Sequence, residues 1–279
     1  IPDGLTSIGD SAFEGCTGLT NIELSNVSFI GDSAFYGCNN VTNLKMKLNE
    51  ELTAGENVFG GCIRLDNVSL ITSAITDNDN TVLEKIKELT GVDLFNVIIP
   101  DGTTSIRYGA FENCSSIVSV YIPNSVTYIG IDAFNGCSSL KSIDIPDSVI
   151  EIYTCAFEGC ANLEIINIPD SVIEIGSYAF SGCSSLKSID IPDSVTNIGE
   201  SALEGCSSLV NVTISNNITS LCSFEDCENL EYNVYDNLCY LGSESNPYLV
   251  VIKPSDSSIK NASIHQNARI ISPKAFNNC

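Results

Sequence analysis

The groups able to do chemistry in this 279-residue chain are thirteen cysteines, a single histidine and 35 carboxylates. A cysteine that attacks a substrate needs an activating neighbour, one that ligates zinc needs three companions in a tetrahedron, and one that forms a disulfide needs a well-directed partner. Ten of the thirteen instead follow a repeated A-F-x-G-C motif: Phe13/Cys16, Phe35/Cys38, Phe59/Cys62, Phe111/Cys114, Phe134/Cys137, Phe157/Cys160, Phe180/Cys183, Leu203/Cys206, Phe224/Cys227 and Phe276/Cys279. Side chains at one repeat position stack in parallel, one coil apart, whereas a disulfide needs Cβ atoms within about 3.5–4.5 Å. The ladder is therefore expected to be reduced and buried, acting as small hydrophobes and weak donors at a tight turn. No C-x-x-C pair is present, so the spacing offers zinc no ligand set. Cys155, Cys222 and Cys239 lie off the ladder; Cys155 and Cys222 share a column with Ser11, Ser33 and Ser201 and read as serine replacements.

The remaining inventory argues against catalysis. His265 stands where other units place proline at a strand end, and reads as a surface turn residue. A Ser/His/Asp or Cys/His site would have to use it, and no nucleophile elbow, H-E-x-x-H, phosphate loop or dinucleotide fingerprint occurs. The stretch Asp77-Asn78-Asp79-Asn80 with Glu88 invites a calcium reading, but Val82 occupies the position where such a loop needs glycine. The expectation is a protein that is not an enzyme and holds no cofactor and no metal.

What positions the cysteines is the repeat itself. Successive ladder cysteines are 21 to 24 residues apart except across two gaps of 52, each of which resolves as 29 plus 23. The chain then holds twelve units, the first incomplete, in one domain spanning residues 1–279. In the first gap, Leu94, Val97, Ile99 and Pro100 match Leu140, Ile143, Ile145 and Pro146, which puts Gly91 at the cysteine position. In the second, Ile259, Ala262 and Ile264 fall in frame. Within a regular unit, Leu140, Ile143 and Ile145 alternate with Lys141, Ser142 and Asp144, the pattern of a half-buried strand. Pro146 ends the strand, Asp147-Ser148 turns the chain, and Val149 and Ile152 point inward before Ala156-Phe157 and Cys160 close the coil. The phenylalanines Phe111, Phe134, Phe157 and Phe180 and the cysteines Cys114, Cys137, Cys160 and Cys183 are expected to form two stacked structural columns. Both long units carry insertions. Residues 63–91 contain the capping box Thr81-Val82-Leu83-Glu84 with Ile86 and Leu89 at helical spacing, a short helix. Residues 228–256 contain apolar runs at Leu238–Leu241 and Tyr248–Lys253 around a turn, a projecting β-hairpin.

The segment Ser138-Ser139-Leu140-Lys141-Ser142-Ile143-Asp144-Ile145-Pro146-Asp147-Ser148-Val149, followed by Ala156-Phe157-Glu158-Gly159-Cys160, resembles the BspA-like, Treponema-type leucine-rich repeats. The resemblance covers nearly the whole chain. It implies a right-handed leucine-rich-repeat solenoid with a parallel β-sheet on one face. It also implies a bacterial cell-surface or secreted protein used for adhesion, with protein partners such as host extracellular-matrix or cell-surface proteins. Both ends fall inside the repeat array, so the chain is expected to be a fragment of a longer protein.

Composition limits the partners. A net charge of -23 leaves too few cations to neutralise phosphates, which excludes nucleic acid, and no apolar stretch approaches the roughly 18 residues that would insert in a membrane. The outward strand positions are the ones a partner would meet. Four and seven residues after the ladder position these place Phe95, Ile98, Val118 and Tyr121 as an apolar patch, continued by Lys141 and Asp144 as a mixed-charge strip. The functional expectation is a non-catalytic extracellular protein-binding module, and the alternative is a spacer or stalk without its own ligand.

Overall fold

Alternation with period two forces each repeat into short strands, and the prolines and glycines between them force corners. A computed structural model describes residues 4–47, 52–72, 86–221, 224–256, 259–273 and 275–276, and the result is a parallel β-solenoid in two compact units. The first comprises Ile1–Pro100 with Ser116–Tyr121, the second Asp101–Ser115 with Ile122–Cys279.

In the first unit the strands Asn21–Leu24, Asn43–Lys47, Asn67–Ile71, Phe95–Ile98 and Ile117–Tyr121 pair in parallel in chain order. A second, narrower sheet of two-residue strands, Ser7–Ile8, Phe29–Ile30 and Thr53–Ala54, runs along another side of the coils. The second unit repeats the plan: Ser142–Asp144 pairs with Ile165–Asn167 and Ser188–Asp190 with Asn211–Thr213. Its narrow sheet has five strands, Ser105–Ile106, Tyr128–Ile129, Glu151–Ile152, Glu174–Ile175 and Asn197–Ile198. Leu140, Ile143 and Ile145 are buried while Lys141, Ser142 and Asp144 are exposed, as the alternation requires.

The third side of each coil is a turn whose backbone is bonded along the stack. The Phe134 N–H donates to the Ala156 carbonyl and the Phe157 N–H to the Ala179 carbonyl, both at 2.8 Å. Two positions per coil are left-handed. One is the glycine before the ladder cysteine, where Gly159 has φ 70° and a side chain would bring its Cβ to 3.6 Å from the Gly136 backbone. The other lies five residues before the cysteine and is held by Ser11, Ser33, Asp132, Cys155, Tyr178 and Ser201 among others, all with φ between 53° and 57°. That column explains the serines opposite Cys155 better than chance replacement does: its requirement is conformational, and side chains as different as aspartate and tyrosine meet it. Cys222, in the same column, lies outside the described residues.

The rings stack. Phe13, Phe35 and Phe59 in the first unit have centroids 5.1 and 5.3 Å apart, and Phe111, Phe134, Phe157 and Phe180 in the second follow at 5.2, 5.3 and 5.5 Å, all within 7° of parallel. This is the offset-stacked geometry that aromatic quadrupoles favour.

The insertions fit the sequence in part. Residues 86–90 are α-helical with Ile86 buried, and the capping box and the acidic lead-in lie outside the described residues. Leu238–Leu241 and Val250–Pro254 pair antiparallel as expected. The hairpin does not simply project, because Leu238, Tyr240 and Val251 form a small core with Tyr248, Ile259 and Ala268 packed on it. A further strand, Asn233–Tyr235, joins it through the turn Asp236-Asn237, whose φ values of 42° and 66° are those of a type I′ hairpin turn. The expected inward strand at Ile259, Ala262 and Ile264 is absent: Ala262 and Ile264 are exposed, and Val250 and Val251 pair with Ile270 and Ile271 instead. The hairpin has taken the sheet position that the degenerate repeat would have filled.

Candidate binding surface

The cysteine ladder supplies structure. Each Phe carbonyl in the turn accepts the backbone N–H of the cysteine three residues on, and its second lone pair is left facing the next coil. The next cysteine fills it: Cys137 Sγ donates to the Phe111 carbonyl at 3.1 Å, Cys160 to Phe134 at 3.2 Å and Cys183 to Phe157 at 3.3 Å. Cys38, Cys62, Cys206 and Cys227 make the same bond. Cys114 is only half-buried and points its thiol at the Glu112 carbonyl at 3.7 Å. Burial lifts the thiols of Cys38, Cys62, Cys137, Cys160, Cys183 and Cys227 away from ionisation, Cys62 and Cys227 to about 11 and Cys160 to about 12, so they are donors and not nucleophiles.

Cys155 sits among carboxylates, with ligand-capable atoms of Asp132, Cys155 and Glu158 within 4.8 Å of one another. Burial and then Glu158 push its thiol to about 12, which makes it a hydrogen-bond donor to acids where a metal would want a thiolate. The Asn135 amide donates to Asp132 at 3.0 Å and to Glu158 at 3.5 Å and completes a cluster that satisfies itself. His265 is a turn residue, as its position implied, and its imidazole stacks on Tyr248 with centroids 4.2 Å apart and meets Tyr235 edge-on at 4.8 Å. Its Nδ1 accepts the Asn267 N–H at 3.1 Å, so that nitrogen is occupied by the turn.

The outward face of the first unit's main sheet is built from two columns. One is an amide ladder: Asn43 donates to Asn21 and Asn67 to Asn43, both at 2.8 Å, Asn96 donates to Asn67 at 2.6 Å, and the Ser119 hydroxyl donates to Asn96. The other holds Ile98 and Tyr121, which are cross-strand partners and continue Lys47 and Ile71, while Lys45, ion-paired with Glu23 at 3.2 Å, stands in register with Ser69, Asn96 and Ser119. Tyr121 is 57% exposed; Ile98 and Val118 are half-buried. Phe95 is not on this surface. It is 1% exposed, because it pairs with Val68 on one side and Ile117 on the other, both inward positions, and a bulge after Phe95 absorbs the shift. Leu94, expected inside, is 48% exposed instead. In the second unit Lys141 and Asp144 are exposed on the strand Ser142–Asp144 and its approach, and Lys187 bonds Glu164 at 2.7 Å, which lowers the Glu164 pKa. An open groove of about 490 Å³, lined by Asp170, Asp190, Asp193, Asn216 and Glu244, lies beside the 243–245 loop. Sequence reasoning missed it because the loop's approach to the strand ends is set by the Thr213–Gly242 bridge.

Six copies of the BspA type leucine rich repeat region match the sequence over residues 1–117 and 104–231. The chain belongs to the BspA-type leucine-rich repeat family. A leucine-rich repeat protein of Bacteroides ovatus is 28% identical, with 99% of this chain and 68% of that one aligned at a TM-score of 0.55. The T. pallidum leucine-rich repeat protein is 31% identical over 49% of this chain and 78% of its own, with a TM-score of 0.44. A leucine-rich cell surface protein of Faecalibacterium prausnitzii is 25% identical over 81% of this chain and 82% of its own, with a TM-score of 0.29. No curated protein matches the sequence. BspA-type repeats are scaffolds for protein interaction, generally without catalysis. Among the described residues no helix is long and apolar enough to cross a membrane.

Proposed function

We propose that this BspA-type domain is a non-catalytic binding module that works at the cell surface or outside the cell and attaches to host or neighbouring-cell proteins. The observation that carries the reading is the outward face of the first unit's sheet, where Tyr121 and Ile98 stand as apolar anchors beside a hydrogen-bonded amide ladder. A rigid sheet with its polar groups already paired loses little entropy on docking, and aromatic anchors beside a polar flank are what protein interfaces use. Lys141 and Asp144 supply exposed charges for the same purpose on the second unit.

The test is a binding screen of the purified domain against immobilised extracellular-matrix proteins, with Tyr121→Ser and Ile98→Ser beside the wild type. The expected result is saturable binding to at least one protein, weakened ten-fold or more by the two substitutions together, with the circular dichroism spectrum unchanged. Failure to bind any protein in the panel would favour a spacer over a binding module.

A further inference from the structure

The second unit carries an apolar surface on its narrow sheet, away from the strands read above. Tyr108, Tyr128, Ile131, Ile150, Tyr153 and Ile173 are exposed by 71%, 39%, 42%, 45%, 40% and 46%. They come from four successive coils, one or two from each. The register makes them neighbours: Tyr128 pairs with Glu151, the Ile173 N–H donates to the Ile150 carbonyl at 2.9 Å, and the rings of Tyr128 and Tyr153 meet edge to face at 5.8 Å. Isolated exposed apolar residues mean little, but six on four adjacent coils form a strip.

Carboxylates run along the strip, with Glu151 between Ile150 and Tyr153 on one coil. Glu151 and Glu174 follow Tyr128 in the same outward strand column, and Asp132 is next to Ile131. Glu151 also holds the Tyr153 hydroxyl in its protonated form. Arg107, beside Tyr108 at one end, adds one cation just past the strand Ser105–Ile106. A second copy of the chain would bring an equally acidic surface against this one, on top of a net charge of -23. An anionic membrane would be repelled in the same way.

The coil rise and the helix pitch supply the remaining argument. Coils repeat every ~4.8 Å, so four of them span about 15 Å, and an α-helix advances ~5.4 Å per turn, so three turns cover the same distance with one apolar residue per coil. We propose that this strip is a docking surface for a basic amphipathic helix of a partner protein, whose apolar stripe lies along the coils and whose lysines or arginines meet Glu151, Glu174 and Asp132. This rests on the reading of the domain as a protein-binding module and assigns that function a second surface with a defined partner chemistry.

The probe is a synthetic 18-residue amphipathic helix of leucine and lysine, compared with a scrambled peptide of the same composition and with a leucine/glutamate helix. Binding to the whole domain is followed by fluorescence anisotropy in 150 mM salt. The amphipathic lysine peptide is expected to bind at least ten-fold more tightly than either control. Ile150→Ser with Ile173→Ser, which leaves the charge unchanged, is expected to weaken binding ten-fold or more. Glu151→Lys with Glu174→Lys is expected to transfer preference to the leucine/glutamate helix. Tyr121→Ser should have no effect. Equal binding of the scrambled peptide, or full binding by the isoleucine variant, would overturn the proposal, since attraction would then be charge alone. Because the charge-reversal pair is confined to exposed or half-exposed positions, it remains decisive if the serine variant folds poorly. If these peptides fail while matrix-protein binding through Tyr121 persists, only this surface is refuted and the binding-module reading stands.

Discussion

Phe157 is the residue whose removal most directly probes the stacked coils. Its ring is fully buried and lies parallel to Phe134 and Phe180, at 5.3 and 5.5 Å between centroids. Truncation exposes the loss of roughly 150–200 Å² of buried apolar surface, which at about 25 cal/mol per Å² is about 4–5 kcal/mol. The site has little means of collapsing, because the backbone on either side is tied to the next coil through the Phe134 and Phe157 N–H bonds. Phe157→Ala is therefore expected to cost about 3–5 kcal/mol. Phe157→Leu should cost only about 1–1.5 kcal/mol, since Leu203 already fills the equivalent position at 1% exposure. Urea titration followed by circular dichroism measures the cost, and amide hydrogen exchange read by mass spectrometry locates it. In a solenoid the loss should concentrate in the neighbouring coils, around Ala133 and Ala179. A cost under about 1 kcal/mol for alanine, or exchange that rises equally at Asn43–Lys47, would refute the idea that the rings form a locally coupled column.

Four other outcomes follow from the same geometry. Gly159→Ala, at φ 70°, should cost about 1–2 kcal/mol, and Gly176→Ala should cost more, because its Cβ would lie 2.4 Å from the Thr154 backbone nitrogen; thermal melts of the two variants rank them. Asn67→Asp removes the amide donor to Asn43 while leaving an acceptor for Asn96, and is expected to lose about 1 kcal/mol in urea titrations. On the alkaline side, stability should hold from neutral pH towards the ordinary thiol value of 9.0 and fall between there and about 12: the folded thiols of Cys62, Cys227 and Cys160 are raised, so the unfolded chain gives up its protons first as pH rises. Denaturant midpoints measured from pH 7 to 11 would show this decline, and a flat profile would contradict it. Iodoacetamide at pH 8 should leave Cys137, Cys160 and Cys183 unmodified in the folded protein and label them in urea, as peptide mass mapping would report.

The regular coils were legible because every unit repeats the same alternation, so ten imperfect copies of one motif average out local ambiguity. That is why Phe134, Phe157, Cys137 and Cys160 fell into columns at the expected places. The insertions gave no such average. At Phe95 the repeat frame predicted an outward side chain, but the strand after the helix pairs two residues out of frame with Asn67–Ile71, and the bulge that restores the frame leaves no sequence mark. At Ile264 the frame matched by composition while the hairpin had already claimed the sheet edge. The type I′ turn at Asp236-Asn237 was readable from its residues, yet the strand before it, Asn233–Tyr235, is exposed throughout and has no alternation to betray it. The Tyr and Ile strip on the narrow sheet was hidden for another reason: its six members are spread over four repeat columns, at most two in any one, so no single column looks apolar.

Because seven of the ladder thiols are matched to a carbonyl of the preceding coil, and not to another sulfur, their chemistry is indifferent to how many coils there are. A gene that gains or loses one 23-residue segment by recombination changes the cysteine count by one without stranding a half-cystine. Such a domain can lengthen or shorten in single steps and needs no oxidative folding machinery to do so.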